Sequence, residues 1–257
     1  MLTDLDPRAA AYVNLNAILG TIPELVARVP EARDIVARDP RATSLGFAVR
    51  GGPRAVLAFK DGQVQLVPDR AAATIVLPFA GPDAFNKVIA GTAQPVPVSG
   101  FHRIGFLLHV FAPLTELLTR YLRPSEEDSA DPEFVATSTI LTLYVACAAV
   151  AQLANEDRSG RYSAAHMPDG DVAVEAGDDL ALTLRVRDHH MTFVPQASPD
   201  PRAGMRFESL DLAGKVLSGQ ASAMACVCAG TLAMRGTLSM VDNVSRILDR
   251  AGQYLGE

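Results

Sequence analysis

Cys226 and Cys228 stand two residues apart, and His189 and His190 are adjacent. Thiolates and imidazoles are the usual ligands of zinc, and a structural zinc site takes about four of them. The remaining candidates, Cys147, His102, His109 and His166, are scattered, and no His-Glu-x-x-His occurs. His189-His190 falls at an expected hairpin tip, where neighbouring side chains diverge. If residues 226–228 are extended, both thiols point the same way and read as small, partly buried groups. No metal ligand is assigned.

Nucleophilic chemistry is no better supplied. A hydrolase needs a nucleophile held beside a base, and there is no Gly-x-Ser-x-Gly elbow. Ser99, Ser163 and Ser218 read as loop or helix-end residues. An enzyme acting on an apolar substrate would have to gather polar groups such as His102, His109, or Asp188 with Tyr162. Gly51-Gly52-Pro53 is not a phosphate loop, and Gly-x-x-x-x-Gly-Lys-[Ser/Thr] is absent. The short helices expected to end at Gly91 and Gly219 could turn free amides toward an anionic head group. Asp83 and Asp211 stand at their starts, however, and read as caps. No catalytic residue and no cofactor is assigned.

The remaining distinctive side chains are apolar. Every methionine except Met1 lies in the second half. Flexible thioethers suit the contour of an acyl chain or sterol, and equally fill irregular cores. In the second half Met224, Cys226, Cys228 and Met234 are expected on or near a sheet wall. Met240, Val244 and Leu248 would close over it from a terminal helix. In the first half Phe106, Phe111, Leu114 and Leu118 would form the same closure, unless their bulk fills the interior.

The elements that position these residues follow from periodicity. Residues 8–38 read as helix interrupted at Pro23 and Pro30. Alternation then predicts strands at 47–50, 55–59, 64–68 and 73–79, with Lys60-Asp61-Gly62-Gln63 as a tight hairpin. A short helix over 84–90 closes at Gly91. Residues 100–108 read as turn and strand, and 112–122 as helix. The acidic, proline-bounded run 125–132 reads as a linker, dividing a first domain (1–124) from a second (133–257). The second opens with a long apolar helix over 133–155, taken as buried rather than membrane-spanning, and a loop over 159–170. Strands follow at 172–175, 180–186, 191–194 and 205–208, then a short helix over 211–217. A strand at 231–235 and a terminal helix over 241–255 complete it.

The two halves echo each other. Lys60-Asp61-Gly62-Gln63-Val64-Gln65-Leu66-Val67-Pro68 parallels Arg187-Asp188-His189-His190-Met191-Thr192-Phe193-Val194-Pro195. Asn86-Lys87-Val88-Ile89-Ala90-Gly91 parallels Gly214-Lys215-Val216-Leu217-Ser218-Gly219 at nearly the same offset. A diverged tandem duplication of an α+β module, each a mainly antiparallel sheet covered by helices, accounts for both pairings.

The hairpin 182–193, then Met205-Arg206-Phe207-Glu208-Ser209, Leu212–Gly219, Gly230-Thr231-Leu232-Ala233-Met234-Arg235-Gly236 and the last helix resemble the sterol carrier protein 2-like family. The match covers about residues 170–255. In the first half it rests on Phe59-Lys60-Asp61-Gly62 and on 83–91, and residues 100–108 lack the Gly230…Gly236 arrangement. The resemblance implies two modules enclosing lipid-sized tunnels, and non-catalytic binding or transfer of a sterol, fatty acid or acyl chain. Two other readings stay open: an interaction or structural module with filled tunnels, and an enzyme acting on an apolar substrate.

Composition narrows the partners. The chain has 257 residues, 49% of them hydrophobic, and a formal charge of -6. That supports a substantial core and disfavours a nucleic-acid interface. Transient membrane contact and a homodimer remain compatible. The start Met-Leu-Thr-Asp-Leu-Asp-Pro lacks a basic, apolar leader. Three cysteines do not suit a disulfide scaffold. A cytoplasmic location is expected.

Overall fold

The computed structural model describes residues 5–68 and 73–256; Met1–Asp4, where the leader was sought, lie outside them. The chain forms two compact units, Met1–Arg123 and Pro124–Glu257.

In the first unit, Asp6 caps α1 (Pro7–Val13) by accepting from the Arg8 amide. A π turn at Asn14–Ile18 and a 3-10 turn at Leu19–Thr21 carry the chain into α2 (Ile22–Arg28). Val29 is extended because Pro30 follows, and α3 (Pro30–Ala37) starts anew. Pro23 and Pro30 both sit in first turns, where a missing N–H costs nothing.

Four strands follow: β1 (Thr43–Val49), β2 (Arg54–Lys60), β3 (Gln63–Pro68) and β4 (Ile75–Phe79). Their order is β3-β2-β1-β4, with β1 and β4 parallel and the other pairs antiparallel. The sheet is therefore mixed. Period-two alternation puts Leu45, Phe47, Leu57, Phe59, Ile75 and Leu77 on one buried face. Helix α4 (Pro82–Ile89) comes next. A helical run then combines a 3-10 turn (Phe101–Arg103), α5 (Ile104–Phe106), a π turn (Leu107–Phe111) and α6 (Ala112–Leu122).

The strand expected over 100–108 is thus helical. Among the described residues, an isolated bridge between Val76 and Ser99 extends pairing in that direction. Gly100 then turns the chain at φ 77°. Phe106 and Val110, four apart, supply a buried helical face.

The second unit opens with a short ordered turn at Asp128–Ala130, in which Ser125 Oγ donates to Asp128 at 2.9 Å. Asp131 caps α7 (Pro132–Glu156). Among the described residues, this helix alone is long and apolar enough to cross a membrane by length and composition. It packs instead against other elements of its own unit, burying Leu141, Cys147 and Leu153. Burial pushes the Cys147 thiol up to about 12.

Residues expected as a loop over 159–170 begin with a helix, α8 (Arg158–Ala165), capped by Asp157. Gly160 is what permits it, because a Cβ there would run into the Leu153 carbonyl of α7. The glycine that suggested a loop is a close-approach residue.

Five strands complete the second sheet: β5 (Gly170–Ala176), β6 (Leu180–Arg187), β7 (His190–Val194), β8 (Ala203–Phe207) and β9 (Leu232–Gly236). Their order is β7-β6-β5-β8-β9, and β5 and β8 are the parallel pair. The first four repeat the order and sense of β3-β2-β1-β4. Both hairpins are two-residue loops with positive φ at both centres, Asp61 and Gly62 in one, Asp188 and His189 in the other. Helices α9 (Leu210–Leu217), α10 (Ala223–Ala229) and α11 (Leu238–Leu255) complete the unit. The fold is α+β, with two mixed sheets each flanked by helices.

Two expected caps are corrected. Asp83 and Asp211 lie inside the first turns of α4 and α9, where the helix dipole favours a carboxylate. Gly81 and Ser209 hold the cap positions instead.

Candidate functional site

The apolar face of the second sheet carries a cross-strand row. Register places Leu182, Val174, Met205 and Met234 opposite one another from β6 to β9. Directly opposed residues share a face. The first three are buried, while Met234, on the edge strand, is 42% exposed. The apolar face thus runs out to solvent at β9.

The elements around that edge are apolar and exposed as well. Helix α10 reads Ala-Met-Ala-Cys-Val-Cys-Ala and packs mainly on β9. Met224 on it is 71% exposed, and Leu238 at the start of α11 is 64% exposed. Residues 223–229 are helical because Ser222 caps the N-terminus through the Ala225 amide and Gly230 ends the helix in the left-handed conformation.

Met224, Cys226 and Cys228, expected on or near a sheet wall, lie on a helix that packs beside the edge strand, and the extended reading of residues 226–228 is corrected. A helix separates side chains two apart by about 200°, so Cys226 is buried and Cys228 exposed. Met234 does lie on the sheet. From α11, Met240 and Val244 are buried and Leu248 is half-buried. The cap pair Ser222…Gly230 was the sequence signal for α10.

In the first unit Phe106 and Phe111 pack on the sheet. The Phe106 ring meets Phe59 at 4.9 Å between centroids, and Phe111 meets Phe47 at 5.9 Å. Phe85 packs on Phe47 and Phe79. Leu114 and Leu118 are buried. Aromatic bulk occupies the space between this sheet and its helices.

Two open depressions carry the polar groups. The first, about 450 Å³ in the first unit, is lined by Arg38, Asp39, Arg41, His102, Arg103 and His109, together with Phe106. Arg103 is buried, donates to Thr43 Oγ1 and reaches Asp39 at 3.2 Å. The hydrogen bond from Arg41 is the main influence that holds the Asp39 carboxyl below its usual range, with Arg103 adding to it. Sequence reading missed this cluster because its members come from segments some sixty residues apart.

The second, about 640 Å³ in the second unit, is bordered by Asp169, Asp171, Arg185, Arg187, Ser198, Asp200 and Arg202. Arg185 grips the buried Asp171 through two bonds of 2.9 and 2.8 Å, and Ser198 Oγ donates to it at 2.8 Å. Those hydrogen bonds, Arg185 first, hold the Asp171 carboxyl below its usual range. Arg185 and Arg187 both pair with Asp171, and Arg202 donates to the Asp169 carbonyl, so the cluster reads as a structural brace.

The polar groups considered for catalysis are placed as follows. His102 and His109 border the first depression. Tyr162 is exposed on α8, its ring 4.4 Å from that of His166. Asp188 sits in the β6–β7 hairpin, where its amide donates to Asp169. Among the described residues, no three His, Cys, Asp or Glu side chains group as metal ligands.

No family model and no curated protein matches the sequence. Among solved structures, one that matches is described as "UbiJ-SCP2 Ubiquinone synthesis protein". The identity is 16%, the match covers 40% of this chain and 84% of that one, and the TM-score is 0.32. The similarity is distant and partial, and carries no argument about ligand or activity.

Proposed function

We propose that the chain binds an apolar, lipid-sized molecule without catalysis, at the α10–β9–α11 edge of the second unit. The observation that carries the reading is the apolar sheet face that continues to an exposed Met234, with exposed Met224 and Leu238 on the two helices that contact that strand. Contiguous exposed apolar surface marks an interaction site. Methionines let such a surface follow a fatty acid or sterol. Burying about ten methylenes, at about 0.8 kcal/mol each, supports micromolar affinity before ordering costs. The first unit, with its aromatic interior, serves as the structural partner. A diverged duplication accounts for the two units, and the free thiols suit a reducing cytoplasm. Native mass spectrometry of protein expressed in cells tests this: co-purifying mass of a fatty acid or sterol supports it. An empty protein that also ignores fluorescent fatty acids contradicts it.

A second reading is favoured by one observation. β9 is an edge strand whose residues after Leu232 are exposed, and an open edge can accept a strand from another protein. Under that reading, Met224 and Met234 contact a peptide and lipid probes do not compete.

A further inference from the structure

The first unit exposes a second apolar surface that its fold does not use. In the helical run from Phe101 to Phe111, Phe101, Ile104 and Leu108 fall within one narrow sector of a helix, and all three are exposed, Phe101 and Leu108 at 61% each. Phe106 and Val110, on the opposite side, are buried. His102 and His109 lie between the two, on the side facing the 450 Å³ depression. Arg38, which donates to the His109 carbonyl at 3.4 Å, and Arg41 stand exposed on its rim.

The charge at this rim is positive. Arg38, Arg41 and Arg103 face one carboxylate, Asp39, which is bonded to Arg41 and paired with Arg103. The chain as a whole carries a formal charge of -6, so the patch opposes the general sign. Exposed Phe, Ile and Leu beside Arg and His is the arrangement that lies in a membrane interface: rings and aliphatic groups enter the acyl boundary while cations meet phosphates.

We infer that the Phe101–Phe111 helical face, with Arg38, Arg41, His102 and His109, docks the protein on an anionic lipid bilayer. The inference rests on the lipid-binding reading for its purpose: a carrier must reach a membrane to load or release its cargo. The surface that docks lies in the first unit, and the proposed ligand site lies in the second.

The test is co-sedimentation of the full chain with vesicles of phosphatidylcholine alone and of phosphatidylcholine with one-third phosphatidylserine. No cargo is added. The expected result is binding to the anionic vesicles only, weakening as salt is raised. Arg38→Gln with Arg41→Gln lowers the affinity about thirty-fold, at about 1 kcal/mol per arginine. Phe101→Ser with Leu108→Ser abolishes it. Both side-chain pairs are exposed, and circular dichroism checks the fold; Ile104→Ser is the second variant if the first pair misfolds. No sedimentation of the wild type, equal binding to both vesicles, or unchanged binding by folded variants would overturn the inference. So would a Phe101→Ser effect confined to self-association. Retained binding of a fluorescent fatty acid in a chain that ignores vesicles would sink docking alone and leave the carrier reading standing.

Discussion

Asp157 ties the start of α8 to α11. It is buried, caps α8 through the Ser159 and Gly160 amides, and accepts from the Tyr254 hydroxyl at 2.7 Å. Burial alone would push its carboxyl up. The Tyr254 hydroxyl, the two amides and the Arg250 guanidinium outweigh that and hold it below the usual range. A depressed carboxyl stabilises the fold fully above its unfolded value, and that contribution is lost as the pH falls through the folded value. Asp157→Asn should therefore lower stability at neutral pH by about 2 kcal/mol and flatten the acid limb of a pH series of urea melts. An unchanged acid limb would show that Asp157 is not the responsible group. The cysteines make a second prediction at this scale. Thiol labelling followed by mass spectrometry should modify Cys228 first and Cys147 last, since Cys147 is buried with its thiol pushed up to about 12. A bound fatty acid should slow labelling of Cys228.

At the scale of elements, what could be read from sequence was set by periodicity and caps. Leu180, Leu182, Leu184 and Val186 alternate without interruption, and β6 lies where they do. Asp61-Gly62 signals its hairpin through glycine. The matching turn at Asp188-His189 was legible only by analogy, because His189 takes φ 61° without a glycine. A non-glycine residue there is disfavoured, so His189→Gly should raise stability by about 1 kcal/mol in a denaturant titration. Helices α8 and α10 were missed for different reasons. Gly160 looked like a loop residue, although it serves a close contact with α7. Residues 223–229 are small and apolar, a composition that fits a strand or helix alike; Ser222 and Gly230 decided the matter. Gly160→Ala should cost about 1–3 kcal/mol, the usual penalty for forcing atoms into a packed contact, and a neutral result would mean α7 and α8 are less closely apposed.

Over the whole molecule, the two units share a four-strand plan but differ in what fills it. The first sheet faces Phe85, Phe106 and Phe111; the second runs out at β9 into exposed methionine. The candidate site was legible in part. Met224 and Met234 belong to the methionine-rich set read from sequence, Leu238 does not, and an enclosed tunnel was expected where an open edge is found. An edge strand's exposure depends on which helices cover it, and that is a property of the assembled unit rather than of local pattern. The central claim is tested most directly by titrating the full chain with a fluorescent fatty acid, alongside Met234→Asp and Leu238→Asp. Micromolar binding by the wild type, weakened about ten- to a hundred-fold by either carboxylate in an apolar site, is the predicted result. No binding by the wild type, or equal binding by both variants, would contradict it.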